Sequence, residues 1–141
     1  MSTRQKIRSV FIVMLGLSML LNQETGLAMG KKPKAYPDVQ TITKEELSKK
    51  MAAGEPVQVV NVLSPEQYKL GIIKGSQKIP LEELDKRIGE LDKIREVVTY
   101  CGSYKCGASR QAAGKLAAMG FNVRAYEGGI KEWKEAGLPL D

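Results

Sequence analysis

EVVTYCGSYKCGASRQAAGKLAAMGFNVRAY, residues 96–126, reads as strand, loop, helix and strand in one pass. EVVTY has the β-branched and aromatic composition of a central strand. Residues 109–119 are rich in alanine, the strongest helix former, and Gly120 stands where a helix C-terminus turns left-handed. NVRAY, residues 122–126, is strand-like again. Two strands joined through a helix run parallel, and a parallel sheet is covered on both faces. The predicted class is therefore α/β, with a central, mostly parallel sheet in a three-layer α/β/α arrangement.

The flanking sequence repeats the alternation. Thr43-Lys-Glu-Glu46 has the spacing of a capping box, in which hydroxyl and carboxylate each satisfy a backbone donor. It predicts a helix over 44–53, stopped by Gly54. VQVVNV (residues 57–62) predicts a buried strand, and Ser64-Pro-Glu-Gln67 a helix of one or two turns ending at Leu70. KGSQKIP (74–80) holds a brief extended piece closed by proline, and LEELDKRIGEL (81–91) has a helical period. Gly128 and Gly129 predict a turn with positive φ, and residues 130–137 a last helix. Trp133 and Tyr126 are expected in the core.

Composition narrows the classes. The chain has 141 residues, 43% apolar and 27% charged, which suits one conventional domain. Arg4, Lys6 and Arg8 precede the apolar run of residues 10–21, and small residues follow at Gly26, Ala28 and Gly30. That order predicts a secretory signal over residues 1–30, cleaved near Ala28 or Gly30, with an uncleaved membrane anchor as the rival. The expected location is exported, periplasmic, or anchored through residues 10–21. Residues 31–41 form a linker and 42–141 the domain. The net charge of +6 resides mostly in the first 34 residues, leaving about +1 for residues 35–141. So small an excess gives no electrostatic footprint for nucleic acid. There is no histidine, which removes the commonest general base and metal ligand. Two cysteines supply only half a tetrahedral zinc set, so no metal and no cofactor are expected.

Both cysteines, Cys101 and Cys106, lie in the loop between strand and helix. Ligands of open α/β sheets bind at the carboxyl ends of strands, and a helix N-terminus favours an anion. Both effects lower a thiol pKa, and the thiolate is the nucleophile. Cys101 is accordingly the candidate catalytic residue, expected to be ionised at neutral pH. Gly102 and Gly107 are expected to let the loop curl with its N–H groups inward. Lys105 and Arg110 are candidate contacts for an anionic donor, with Arg110 alternatively bracing the helix start, and Tyr104 is placed at the pocket mouth.

The tail VVTYCGSYKCGASRQAAGKLAAMGFNVRAYEGGIKEWKEAGLP resembles the second half of a rhodanese, or sulfurtransferase, domain. The features that agree in order are Tyr100-Cys101, the Ala-Ala-x-x-Leu helix running into Met-Gly-Phe, Gly128-Gly129-Ile130, Trp133, and Ala136-Gly-Leu-Pro139. NVLSPEQYKLGIIKGSQKIP resembles the upstream element, so the likeness covers residues 42–140. It implies a sulfurtransferase in which Cys101 takes the outer sulfur of a donor such as thiosulfate and passes it to a thiol or cyanide acceptor. It also implies substrate-binding roles for the active loop, at Gly102, Ser103, Tyr104, Lys105, Gly107 and Arg110. The implied partners are a small-molecule sulfur donor and a thiol acceptor, including a sulfur-carrier protein.

The departures bear on the donor. The usual Asp-Val-Arg is Asn61-Val62-Leu63, and the usual Gly-His-Ile is Gly71-Ile72-Ile73. Cys106 stands where many members have arginine, and the loop is two residues longer than the common pattern. Cys106 is a candidate resolving or second sulfur-carrying residue. A thiol-disulfide protein cycling Cys101 and Cys106, and a non-catalytic binding module, stay open as alternatives. Phosphatase or arsenate chemistry is disfavoured, because such a site needs an arginine to close the loop.

Overall fold

The computed structural model describes residues 38–141, and the expected signal segment and the linker up to residue 37 lie outside the described residues. The elements are α1 (Lys44–Ala52), β1 (Val57–Asn61), β2 (Gln77–Lys78), α2 (Leu84–Arg87), β3 (Glu96–Tyr100), α3 (Ala108–Ala118), β4 (Val123–Tyr126) and α4 (Gly129–Glu135). The α1 start is the expected capping box: the Thr43 hydroxyl accepts from Glu46 N–H at 3.2 Å, and Thr43 N–H donates to the Glu46 carboxylate at 3.1 Å. Gly54 and Gly120 take positive φ, at 70° and 85°, just beyond the helices they end.

The four strands lie in the order β2-β1-β3-β4, every pair parallel. Asn61 is opposite Tyr100, and Tyr100 opposite Tyr126, so the carboxyl ends of β1, β3 and β4 are level. Residues 40–42 run beside the outer edge of β4, where Ile42 N–H donates to Ala125 O at 3.1 Å. In β3 every residue after Glu96 is buried, so both faces of the sheet are covered. The aromatic anchors are Tyr100, Tyr126 and Trp133, none more than 1% exposed. Tyr126 and Trp133 meet edge to face at 5.9 Å. Each aliphatic side chain as fully buried as Leu47 or Ile73 contributes about 2 kcal/mol.

Two expectations need correction. Residues 81–91 form only the four-residue α2 and a 3-10 turn at Ile88–Glu90. Gly89 weakens the helix, Leu91 is buried with extended backbone, and Arg87 is held by Glu83, Glu90 and Lys78 O instead of by helical neighbours alone. Pro65–Leu70 is the expected short helix ending at Leu70, in 3-10 form, closed at its start by Ser64 N–H donating to Gln67 Oε1 at 3.4 Å. Of the glycine pair only Gly129 has positive φ, at 63°; Gly128 is helical at −60°.

From β1 the chain goes to β2 on one side and then crosses back past β1 to β3 on its other side. The switch point of the topology is therefore between β1 and β3, and Cys101 is the first residue after the carboxyl end of β3.

Candidate active site

The end of β3 is fixed by its last two side chains. Thr99 Oγ1 donates to Ser109 O at 2.8 Å, which pins the first turn of α3 to the strand. The Tyr100 hydroxyl accepts from Ile73 N–H at 3.0 Å and shares a hydrogen bond with the Ser76 hydroxyl at 2.8 Å. Asn61, at the level of Tyr100 on β1, accepts from Leu63 N–H at 2.9 Å and braces the neighbouring loop as a carboxylate would.

From this platform residues 101–107 rise as a loop clamped from below by α4. Ile130 N–H donates to Cys101 O at 2.9 Å, and Lys131 N–H to Gly102 O at 3.0 Å. A Cβ on Gly129 would meet the Cys101 carbonyl oxygen and come within 2.7 Å of Gly102 C and 2.8 Å of Ser103 N. Only glycine allows this approach, and its φ of 63° is one that other residues adopt at a cost.

A cleft of about 630 Å³ opens beside the loop. Leu63, Gln67 and Leu70, beyond β1, form one wall. Gly102, Ser103, Lys105 and Cys106 form the second. Lys131, Lys134 and Glu135 on α4 form the third. Three lysines against one glutamate favour an anion there. Tyr104 turns instead to a neighbouring depression of about 410 Å³. Its hydroxyl donates to Glu132 Oε1 at 3.2 Å, while Tyr126 donates to Glu132 Oε2 at 2.7 Å, so one carboxylate ties the loop to the end of β4. Burial, reinforced by Glu132, raises the Tyr126 phenol far above its usual value and keeps it protonated.

Cys101 itself does not face the cleft. It has no exposed surface, and its thiol donates to Cys106 O at 3.2 Å. Burial, with a smaller contribution from the neighbouring Cys106 side chain, pushes the thiol up to about 11. The expected thiolate at neutral pH is thus contradicted in this conformation, because the loss of hydration outweighs the helix N-terminus. Two groups work in the opposite direction: the Ser109 side chain and the Ser109 backbone both favour the anion. The Ser109 hydroxyl is buried and makes no hydrogen bond among the described residues, so it stands ready as a donor to a charged sulfur.

Two of the loop N–H groups expected to point inward are engaged within the loop instead. Cys106 N–H donates to Ser103 O at 2.9 Å and Lys105 N–H to Ser103 Oγ at 3.4 Å, closing a turn within the loop. Gly102 and Gly107 do not take positive φ, and a Cβ on either would meet open space, so neither is required by the backbone. Gly107 is instead the N-cap of α3. Arg110 lies outside the cleft, ion-paired with Glu127 at 2.9 Å, which makes it a brace between α3 and the end of β4. Sequence reasoning passed over Lys131 and Lys134. Their spacing of three on a helix was the available signal.

Residues 43–136 match the rhodanese-like domain family. The chain belongs to the rhodanese family. This rhodanese domain is 36% identical over 104 residues to a sulfurtransferase of Allochromatium vinosum, covering 72% of this chain and 94% of that protein. It is 38% identical over 100 residues to a helix-turn-helix transcriptional regulator of Mycobacterium tuberculosis, covering 71% of this chain but only 44% of the regulator. Among solved structures it superposes on a Lactobacillus plantarum protein with a TM-score of 0.67 at 30% identity, covering 72% of this chain and 87% of that one. These likenesses support a sulfurtransferase-like role for the rhodanese domain.

Proposed function

We propose that this protein moves a sulfane sulfur from a donor such as thiosulfate to a thiol or cyanide acceptor, through a persulfide on Cys101. The observation that carries the reading is the placement of Cys101 at the switch point, with the first turn of α3 and the unpartnered Ser109 hydroxyl beside its sulfur. In the first half-reaction the deprotonated sulfur attacks the outer sulfur of thiosulfate, the S–S bond breaks, and sulfite leaves with the bonding pair. In the second, an acceptor thiolate or cyanide attacks the outer persulfide sulfur and Cys101 departs as the thiolate. Neither step needs a metal or an external oxidant. Ser109 N–H and Oγ–H supply donors to the charged forms of the sulfur.

The test is transfer from thiosulfate to cyanide, followed as thiocyanate. The reading expects turnover by the reduced protein and its loss in Cys101→Ser. Full activity in that variant contradicts it.

A second reading, a thiol-disulfide protein cycling Cys101 and Cys106, is favoured by one observation: the two cysteine side chains adjoin. It expects a loss of two hydrogens on mild oxidation, abolished by either Cys→Ser change, with no stable sulfur adduct. Export through residues 1–30 belongs to the same proposal, and fractionation of cells expressing the full chain tests it.

A further inference from the structure

Cys101 and Cys106 share a loop but not an environment. Cys101 has no exposed surface and does not line the cleft, whereas Cys106 is partly exposed and does. A donor drawn in by Lys105, Lys131 and Lys134 therefore meets the sulfur of Cys106 first. The two cysteines are free thiols held together, with the Cys101 sulfur donating to the Cys106 carbonyl at 3.2 Å and the Cys106 side chain beside it.

We propose that Cys106 receives the sulfur from the donor in the cleft and passes it inward to Cys101, so that the loop works as a two-sulfur relay. The inference rests on the sulfurtransferase reading above, and it replaces the direct attack of Cys101 on the donor with loading through Cys106. The Cys106 thiolate attacks the outer sulfur of thiosulfate, the S–S bond breaks, and sulfite leaves into the cleft. The Cys101 sulfur then attacks the outer sulfur of the Cys106 persulfide. The bond between that sulfur and Cys106 breaks, and the Cys101 proton ends on the departing Cys106 sulfur. The products are a Cys101 persulfide and a Cys106 thiol. The sulfane sulfur moves without net oxidation or reduction, so no external reductant is consumed. A disulfide-forming role for Cys106 differs here, because it would expel sulfide and require a dithiol to reset the loop.

The arrangement also gives buried Cys101 a way to be loaded. Its proton is held by the surrounding apolar packing, which makes it a poor first nucleophile towards a hydrated dianion such as thiosulfate. A sulfur already attached to Cys106 arrives desolvated and within the loop. Once on Cys101, a persulfide anion would find the Ser109 hydroxyl and the α3 N-terminus as donors.

The experiment treats the reduced full-length protein and its Cys101→Ser, Cys106→Ser and Cys106→Ala variants with thiosulfate. Samples are quenched by alkylation at intervals, and the added sulfur is located by peptide mass mapping. The relay predicts that Cys101→Ser gains one sulfur, on Cys106, without turning over. It predicts that both Cys106 variants load Cys101 at least about tenfold more slowly than the unaltered chain. Unchanged thermal melting of the Cys106 variants keeps that slowing from being a folding defect. Failure of Cys101→Ser to take up sulfur, or loading of Cys101 at the unaltered rate without Cys106, overturns the relay while leaving the sulfurtransferase reading intact. Absence of sulfur on the unaltered chain overturns both.

Discussion

At the scale of the residue, the decisive quantity is where the Cys101 proton lies. Burial and Cys106 hold the thiol up at about 11, against an ordinary value of 9.0, while Ser109 pulls it down. The reduced protein should therefore react slowly with iodoacetamide at Cys101 at neutral pH, with the rate climbing as pH rises towards about 11. Ser109→Ala removes a donor to the anion and should shift that profile to still higher pH. Because the hydroxyl is buried without a partner, the same change should cost little stability. A Cys101 profile centred below neutral pH, or one unmoved by Ser109→Ala, contradicts this account. The sign for stability follows by linkage. Between 9.0 and about 11 the folded thiol keeps a proton that the unfolded one has lost, so this contribution is present below 9.0 and disappears as pH rises through about 11. The position of Cys101 past a strand end was legible in EVVTYCG. Its protonation was not, because desolvation depends on what the rest of the chain packs over the sulfur.

At the scale of the element, α4 places the active loop as much as α3 does. Ile130 and Lys131 N–H groups hold the carbonyls of Cys101 and Gly102, and Gly129 provides the close approach that makes this possible. Gly129→Ala forces a side chain into the loop backbone at positive φ and should destabilise the domain by about 2 kcal/mol or more. A shift of the urea midpoint measures it; an unchanged midpoint would show that the loop yields freely. The need for a glycine pair was visible in the sequence, but which of the two carries the strain was not. Local signals succeeded where they were self-contained, as in the Thr43–Glu46 box that opens α1. They failed over residues 81–91, where tertiary demands on Leu91 and Arg87 cut the helix short. Arg110 shows the same limit: its charge was readable, but its engagement by Glu127, seventeen residues away in the chain, was not.

At the scale of the whole molecule, one ionic cluster spans three elements. Glu96, at the start of β3, accepts from Arg124 of β4 at 2.6 Å and pairs with Lys50 of α1 at 3.0 Å. Burial pushes the Glu96 carboxyl up, but the hydrogen bonds from Arg124 and Lys50 outweigh it and hold the group below its usual range. A depressed carboxyl contributes stability that is present above the unfolded-state pKa and lost as pH falls through the folded one. Acid unfolding should thus be blunted in Glu96→Gln, which should also lower stability at neutral pH by about 2 kcal/mol. Denaturation midpoints at neutral and acid pH check both, and a Glu96→Gln curve parallel to that of the unaltered chain contradicts the assignment. The alternation of strands and helices revealed the parallel sheet. The order β2-β1-β3-β4, and with it the cleft between the ends of β1 and β3, is a property of chain crossing that local patterns do not encode.

The most direct measurement is to expose the reduced, unaltered protein to excess thiosulfate, trap it by alkylation, and map the added sulfur peptide by peptide. The account predicts one sulfur atom on Cys101 at completion, released on addition of cyanide. A protein that gains no sulfur on Cys101, while folded and reduced, contradicts it.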